Sequence, residues 1–301
     1  MSGRLLVATA AVFWSLGGLI ARSVDTDPWT TVFWRGLFCA AFLTAVTALR
    51  ARGGTPATFA AMGATGLGMA VCFAIASTCF IMALDRTSVA NVLIIQSLSP
   101  FMAGLIGWLW MGERVAARTW IAMTVALLGS AIMVSRYFYA TPASGSLTGD
   151  LLAFVVALAF AIATVLLRRR RHVQMLPAAA LAALLASVVA SVPGRPASAD
   201  GGDLALLALF GAGQLGLGMI LFTAGARLIP VAEASLIAVL ESVLGPVWVW
   251  LALGENPGAP SLVGGAIVLA ALVGHTVADL RFERGGGMGQ AGSRKRSSTG
   301  T

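Results

Sequence analysis

Two glutamates stand inside one of the apolar stretches of this chain. The stretch runs from Ile229 to Glu255, IPVAEASLIAVLESVLGPVWVWLALGE, and holds Glu233 and Glu241 in its body. At bilayer depth an unpaired charge costs about 2.5–3.5 kcal/mol on insertion scales, so such an acid faces protein or water, or holds a proton. The chemistry on offer is charge recognition and proton uptake in a poorly solvated setting. Eight residues apart, the two acids share a helix face, separated by about 12 Å along the axis. Arg35 is a cation within another apolar run. It serves either to attract a carboxylate or to pair with an acid. Bond-breaking chemistry has no comparable support. The two histidines are His172, in the basic run Arg168–His172, and His275, and neither an HExxH nor a Ser/His/Asp arrangement accompanies them. An intramembrane enzyme needs a nucleophile with a base, or a metal cluster, at depth. No cofactor and no metal site is expected.

The elements that position these residues follow from composition. Of 301 residues, 58% are hydrophobic and 11% charged, against about 25% charged in soluble domains. Mean hydropathy is +0.89, so the solvent for most of the chain is lipid. The net charge of +8 does not point to nucleic acid, because the arginines lie between apolar runs and form no stripe with interleaved aromatics. Cys39, Cys72 and Cys79 fall inside apolar segments and read as packing residues, not a disulfide framework. A helix needs about 20 residues to cross the hydrocarbon. Ten segments qualify, at roughly 5–22, 29–49, 57–84, 88–111, 116–135, 148–167, 174–192, 204–226, 231–253 and 260–280. The first reads as a retained helix because no small-residue cleavage pattern precedes Arg22. The basic Gly/Ser-rich end, 282–301, is expected to be a disordered cytoplasmic tail.

Loop charge orients these segments. With the N-terminus inside, the cytoplasmic loops hold Arg4, Arg50, Arg52, Arg114, Arg118, Arg168–Arg171, Arg227, Arg281, Arg284, Arg294, Lys295 and Arg296, fifteen in all. The outer loops hold four, Arg22, Arg86, Arg136 and Arg195. Both termini are therefore expected in the cytoplasm.

The acidic stretch also has a partner. Shifted by 142 residues it lies on Thr87–Glu113, TSVANVLIIQSLSPFMAGLIGWLWMGE, with eight identities, among them Ile95/Ile237, Leu98/Leu240, Trp108/Trp250, Gly112/Gly254 and Glu113/Glu255. Unrelated segments of this composition share roughly two. Gly3–Ser15 resembles Gly149–Ala161 in the same way, 146 residues on. Two repeats of five crossings, 1–140 and 141–281, must run in opposite senses. Inverted repeats of this kind are the architecture of secondary transporters, with the substrate near the midplane between the halves. A passive channel or scaffold is the distant alternative.

The repeat pairs Glu233 with Asn91 and Glu241 with Ser99, so polar groups recur at equivalent depths. Gln96 lies about 140° round the helix from Asn91, and of the two Gln96 is the preferred cavity residue. Ser77 on the third span and Gln214 on the eighth are further polar candidates, and Trp14, Phe73, Phe80 and Phe160 could line a pocket for an aromatic or apolar group. Each aromatic by itself is as readily explained by packing. Trp108, Trp110, Trp248 and Trp250 suit interfacial belts. Pro100 and Pro246 free mid-helix carbonyls and are candidate hinges. Gly211-Ala-Gly213-Gln-Leu-Gly216 is a literal GxGxxG, but it follows no strand. Gly211, Gly218 and Gly225 read instead as a face for close helix packing. Glu113 and Glu255 read as helix-end hydrogen-bonding groups between halves.

The residues that carry a family resemblance are Phe13-Trp14-Ser15, Arg35, Pro100, Gly112-Glu113, Leu240-Glu241 and Gly254-Glu255. Over about residues 3–280 the chain resembles the drug/metabolite transporter superfamily, and within it the EamA-type exporters. Aromatic amino acid exporters of the YddG type are the preferred comparison. Ser242 departs from the pattern, which has proline after the glutamate. The resemblance implies a multi-pass inner-membrane protein, working as a monomer, that exports small metabolites, with neutral and aromatic amino acids foremost and lipophilic cations as the alternative. It favours a structural role for Arg35.

Overall fold

The structure is a computed structural model that describes residues 2–51, 54–87, 89–140, 146–254 and 258–296. Among the described residues it is all helix. In order come α1 (Gly3–Ser15), α2 (Gly17–Ser23), α3 (Pro28–Arg50), α4 (Thr55–Ala61), α5 (Gly63–Arg86), α6 (Val89–Gln96), α7 (Ser99–Met111), α8 (Ala117–Ala140), α9 (Leu147–Arg169), α10 (Leu176–Ala190), α11 (Gly201–Ala208), α12 (Leu217–Ala226), α13 (Val231–Ala238), α14 (Leu240–Leu253) and α15 (Gly258–Arg296). A π-helical stretch, Leu209–Gly216, joins α11 to α12. Among the described residues eight segments are long and apolar enough to cross a membrane, Pro28–Arg50, Val92–Met111 and Val231–Ala252 among them, and Ala117–Met133 and Leu176–Ala190 are shorter apolar helices.

Local chemistry sets the ends. Asp27 caps α3 by accepting from the N–H groups of Trp29 and Thr30, both at 3.0 Å, with Pro28 fixing the first turn. The repeated Gly-Glu acquires a cause here. Gly112 ends α7 at φ +65 and Gly254 ends α14 at φ +70, a left-handed conformation that costs other residues about 1–2 kcal/mol. α15 runs on through 282–296, where disorder was expected. The backbone there is helical, although Gly285, Gly286 and Gly287 offer low helix propensity and no apolar face.

Two long apolar segments are interrupted at the same place. α6 gives way to α7 through Ser97 and Leu98, and α13 gives way to α14 at Val239. Leu98 N–H bonds the Ile95 carbonyl at 3.1 Å, and Val239 N–H bonds the Leu236 carbonyl at 3.1 Å, so both breaks tighten to three-residue spacing. The offset of 142 carries Ser97 onto Val239. Pro100 explains the first break, since it cannot donate to the Gln96 carbonyl. Pro246 does not explain the second. It lies inside α14, seven residues beyond Val239, so the interruption does not fall at the proline.

The packing has a matching order. α5 packs on α9 as α1 packs on α12, α10 on α5 as α3 on the π stretch, and α6–α7 on α9 as α13–α14 on α1. α3 pairs with α10 and α8 with α15. In lipid, packing rather than water exclusion holds such helices together, and small residues make the approach close. A Cβ on Gly36 would stand 2.7 Å from the Ala183 carbonyl, and one on Gly264 would stand 2.4 Å from that of Gly129. Leucine, isoleucine, valine and tryptophan side chains, Leu251 and Ile121 among them, cover the outside. The three cysteines are free, with Cys39 buried.

Candidate functional site

A small cavity of about 60 Å³ lies where the two interrupted segments meet α9. Gln96 and Ser99 come from the first break, Val239, Glu241 and Ser242 from the second, and Val156 and Phe160 from α9. Glu241 occupies the first turn of α14, where the helix end favours a negative charge. Both prolines act here. Pro100 leaves the Gln96 carbonyl, and Pro246 the Ser242 carbonyl, without the usual helical donor four residues on. A cavity of this volume holds about two waters.

Phe160 is shared between the cavity and an aromatic cluster. Its ring lies 6.1 Å from Trp14, 5.9 Å from Phe73 and 5.3 Å from Phe222, and Trp14 lies 5.0 Å from Phe222. Trp14, Phe73 and Phe222 are buried. Phe222 was not anticipated, since it is one of fourteen phenylalanines and no spacing marks it. Gln214 is buried in the π stretch, and its Nε2 donates to the Trp14 carbonyl at 2.7 Å. Ser77 and Phe80 are half-buried on α5, away from the cavity wall. The Asn91 side chain and all of Glu255 lie outside the described residues.

Arg35 is buried on α3 with its guanidinium 4.6 Å from the centre of the Phe210 ring. No ion pair joins Arg35 to Glu241 among the described residues. The GxGxxG glycines serve packing. A Cβ on Gly211 would stand 2.4 Å from the Arg35 carbonyl, one on Gly218 2.1 Å from Trp14 Nε1, and one on Gly225 2.7 Å from the Gly3 carbonyl.

Glu233 is buried and paired with Arg4, and one expectation is corrected. Trp248 is not in an interfacial belt, because its indole N–H donates to Ser15 Oγ at 2.8 Å between α14 and α1. Trp108 and Trp110 are exposed.

One end of the bundle is tied by charge. Arg4 also reaches Asp279 at 3.1 Å, Arg118 pairs with Asp279, and Thr119 bonds His275 at 2.9 Å. Glu233, His275 and Asp279 group as metal ligands would, and among the described residues Arg4 and Arg118 pair with the two carboxylates. Nearby, Glu113 accepts from Arg168 at 3.2 Å and from the Val231 N–H at 3.3 Å, while Arg168 donates to the Arg227 carbonyl at 2.6 Å. Glu113 thus binds α7 to α9 and caps α13. In the sequence Arg4 stands only as a loop charge, and nothing there marks Asp279.

The sequence pattern of the EamA-like transporter family matches residues 1–135 and 147–276. A pseudopaline exporter, CntI, of Pseudomonas aeruginosa (strain UCBPP-PA14) is 26% identical over 199 residues, 65% of this chain and 68% of that one. An uncharacterized transporter of Archaeoglobus fulgidus is 24% identical over 271 residues, 90% of this chain and 95% of that one. A protein of known crystal structure, 17% identical, shares the fold with a TM-score of 0.74 over 92% of this chain and 97% of its own.

Proposed function

The chain belongs to the EamA-like transporter family, and on that premise we propose that it is a secondary transporter exporting neutral and aromatic amino acids across the inner membrane by alternating access. The carrying observation is the pair of breaks, at Ser97–Leu98 and at Val239, that open onto one cavity beside Glu241. Interrupted helices place polar ends and freed carbonyls at membrane depth, where a transported solute must exchange its water for protein groups. Gln96, Ser99, Glu241 and Ser242 supply the polar groups, and Phe160, with Trp14 and Phe73 behind it, supplies the apolar wall.

In this reading ten crossings form two inverted five-helix repeats, 1–140 and 141–281, with both termini cytoplasmic. The two matched segments of the family pattern and the paired packing of helices five places apart support it. The ion-paired end is then the cytoplasmic one. Substrate entry requires the contacts of Arg4, Asp279, Glu113 and Arg168 to part and the cavity to widen. The two breaks are the flexible points about which the halves bend, with Pro100 beside one of them.

The test is purified protein in liposomes, with a panel of radiolabelled amino acids and a lipophilic cation such as tetraphenylphosphonium, with and without a pH gradient. Movement of neutral amino acids is expected. Extrusion of the cation with no movement of any amino acid would establish the alternative, multidrug efflux.

A further inference from the structure

Two buried polar side chains keep unsatisfied atoms among the described residues, and a third polar group lines the cavity. Arg35 is 5% exposed, and among the described residues its Nε and Nη1 have no hydrogen-bond acceptor. The Phe210 ring beneath it offers a cation–π contact, which satisfies no N–H. A buried guanidinium without an anionic partner is strongly unfavourable. Gln214 is also 5% exposed, and its Oε1 has no donor among the described residues. Its amide orientation is fixed, because Nε2 donates to the Trp14 carbonyl. Glu241, on the cavity wall, is the third.

Arg35 and Gln214 are neighbours. A Cβ on Gly17 would stand 2.8 Å from Gln214 Nε2 and 3.6 Å from the Phe210 ring, so Gln214 and Phe210 face the same glycine, and Arg35 lies on Phe210. No ion pair joins Arg35 to Glu241 among the described residues. We propose that Arg35, Gln214 and Glu241 form the head-group site for a zwitterionic α-amino acid, with the carboxylate on Arg35 and the ammonium shared by Gln214 Oε1 and Glu241. The inference rests on the amino-acid reading above and names what that site recognises.

Complementarity decides the ligand class. The unsatisfied groups are donors on Arg35 and an acceptor on Gln214, with the Glu241 carboxylate on the cavity wall. A zwitterion supplies an acceptor and a donor a few ångströms apart and adds no net charge to a poorly solvated interior. A lipophilic cation would be repelled by Arg35, and a simple carboxylate would leave Gln214 and Glu241 unmatched. The side chain has a place as well. Trp14, whose carbonyl holds Gln214, belongs to the cluster with Phe73, Phe160 and Phe222.

The experiment compares three probes in proteoliposomes: phenylalanine, phenylalaninamide without the carboxylate, and 3-phenylpropionate without the amine. The unaltered protein should move phenylalanine at least about tenfold faster than either analogue, as a site built to bond a polar group rejects a ligand that lacks it. Arg35→Gln should abolish the preference over phenylalaninamide, and Gln214→Leu or Glu241→Gln should narrow that over 3-phenylpropionate. Equal transport of phenylalanine and its amide by the unaltered protein overturns the proposal, as does an Arg35→Gln variant that keeps the preference. Because the unaltered protein already discriminates or does not, the question survives a variant that fails to fold. Movement of other amino acids without these preferences defeats this inference alone, whereas movement of none defeats the functional reading and this inference with it.

Discussion

Arg4, in the first turn of α1, donates from Nε to Glu233 in the first turn of α13 while its Nη2 reaches Asp279 on α15 at 3.1 Å. One guanidinium thus joins residues 229 and 275 positions away. Glu233 is buried, so removing its partner strands a carboxylate in a poorly solvated place. Such losses run up to about 3–5 kcal/mol, while removing both members is far milder. Arg4 is partly exposed, so Arg4→Gln is expected near the lower end, about 3 kcal/mol. Thermal unfolding in detergent should show Arg4→Gln well below the Arg4→Gln/Glu233→Gln double variant. Equal midpoints for the two would mean that the pair contributes nothing specific.

Glu241→Gln removes the acid on the cavity wall and keeps its shape. Downhill amino acid flux is expected to persist more slowly and to lose its response to an imposed pH gradient. A variant with an unchanged response would reduce Glu241 to a packing and recognition group.

The two left-handed glycines are expected to behave alike. Gly112→Ala and Gly254→Ala each place a Cβ at positive φ, costing about 1–2 kcal/mol. Gly18→Ala is the control. It sits within α2 with nothing within 4 Å of the new Cβ, and should raise stability by about 0.5–1 kcal/mol. Melting curves of the three variants, measured together, give the comparison.

Gly264→Ala drives a methyl group into the Gly129 carbonyl at 2.4 Å. Backbone cannot yield as a side chain does, so a loss of about 2–3 kcal/mol is expected. Unaltered melting would show that α8 and α15 are not locked at that crossing.

Asp27 sets a pH dependence at the start of α3. Partial burial pushes its carboxyl up, but the Thr30 hydroxyl, the N–H groups of Thr30 and Trp29 and the charge of Arg195 outweigh this and hold it below its ordinary 3.8. With the folded value depressed, the stabilisation is whole above the ordinary value and drains as pH falls through the folded one. Asp27→Ala should cost about 1 kcal/mol at pH 7, with the gap to the unaltered protein closing in acid. A gap that is constant with pH would sink this assignment.

Composition alone determined that the chain lies in lipid, because so few charges cannot clothe a soluble surface. The identities between Thr87–Glu113 and Ile229–Glu255 marked the same two segments that the fold interrupts, and helical spacing favoured Gln96, which does line the cavity. Hydropathy reads one segment at a time and ends there. It showed Glu233 as an acid inside an apolar stretch, since nothing local shows that Arg4, more than two hundred residues earlier, closes on it. The second break has no such marker, because Pro246 lies seven residues beyond the interruption at Val239. The isolation of Arg35 and of Gln214 Oε1 was likewise settled only by tertiary structure. Whether a buried donor is satisfied depends on which helices surround it, and residue type does not contain that information.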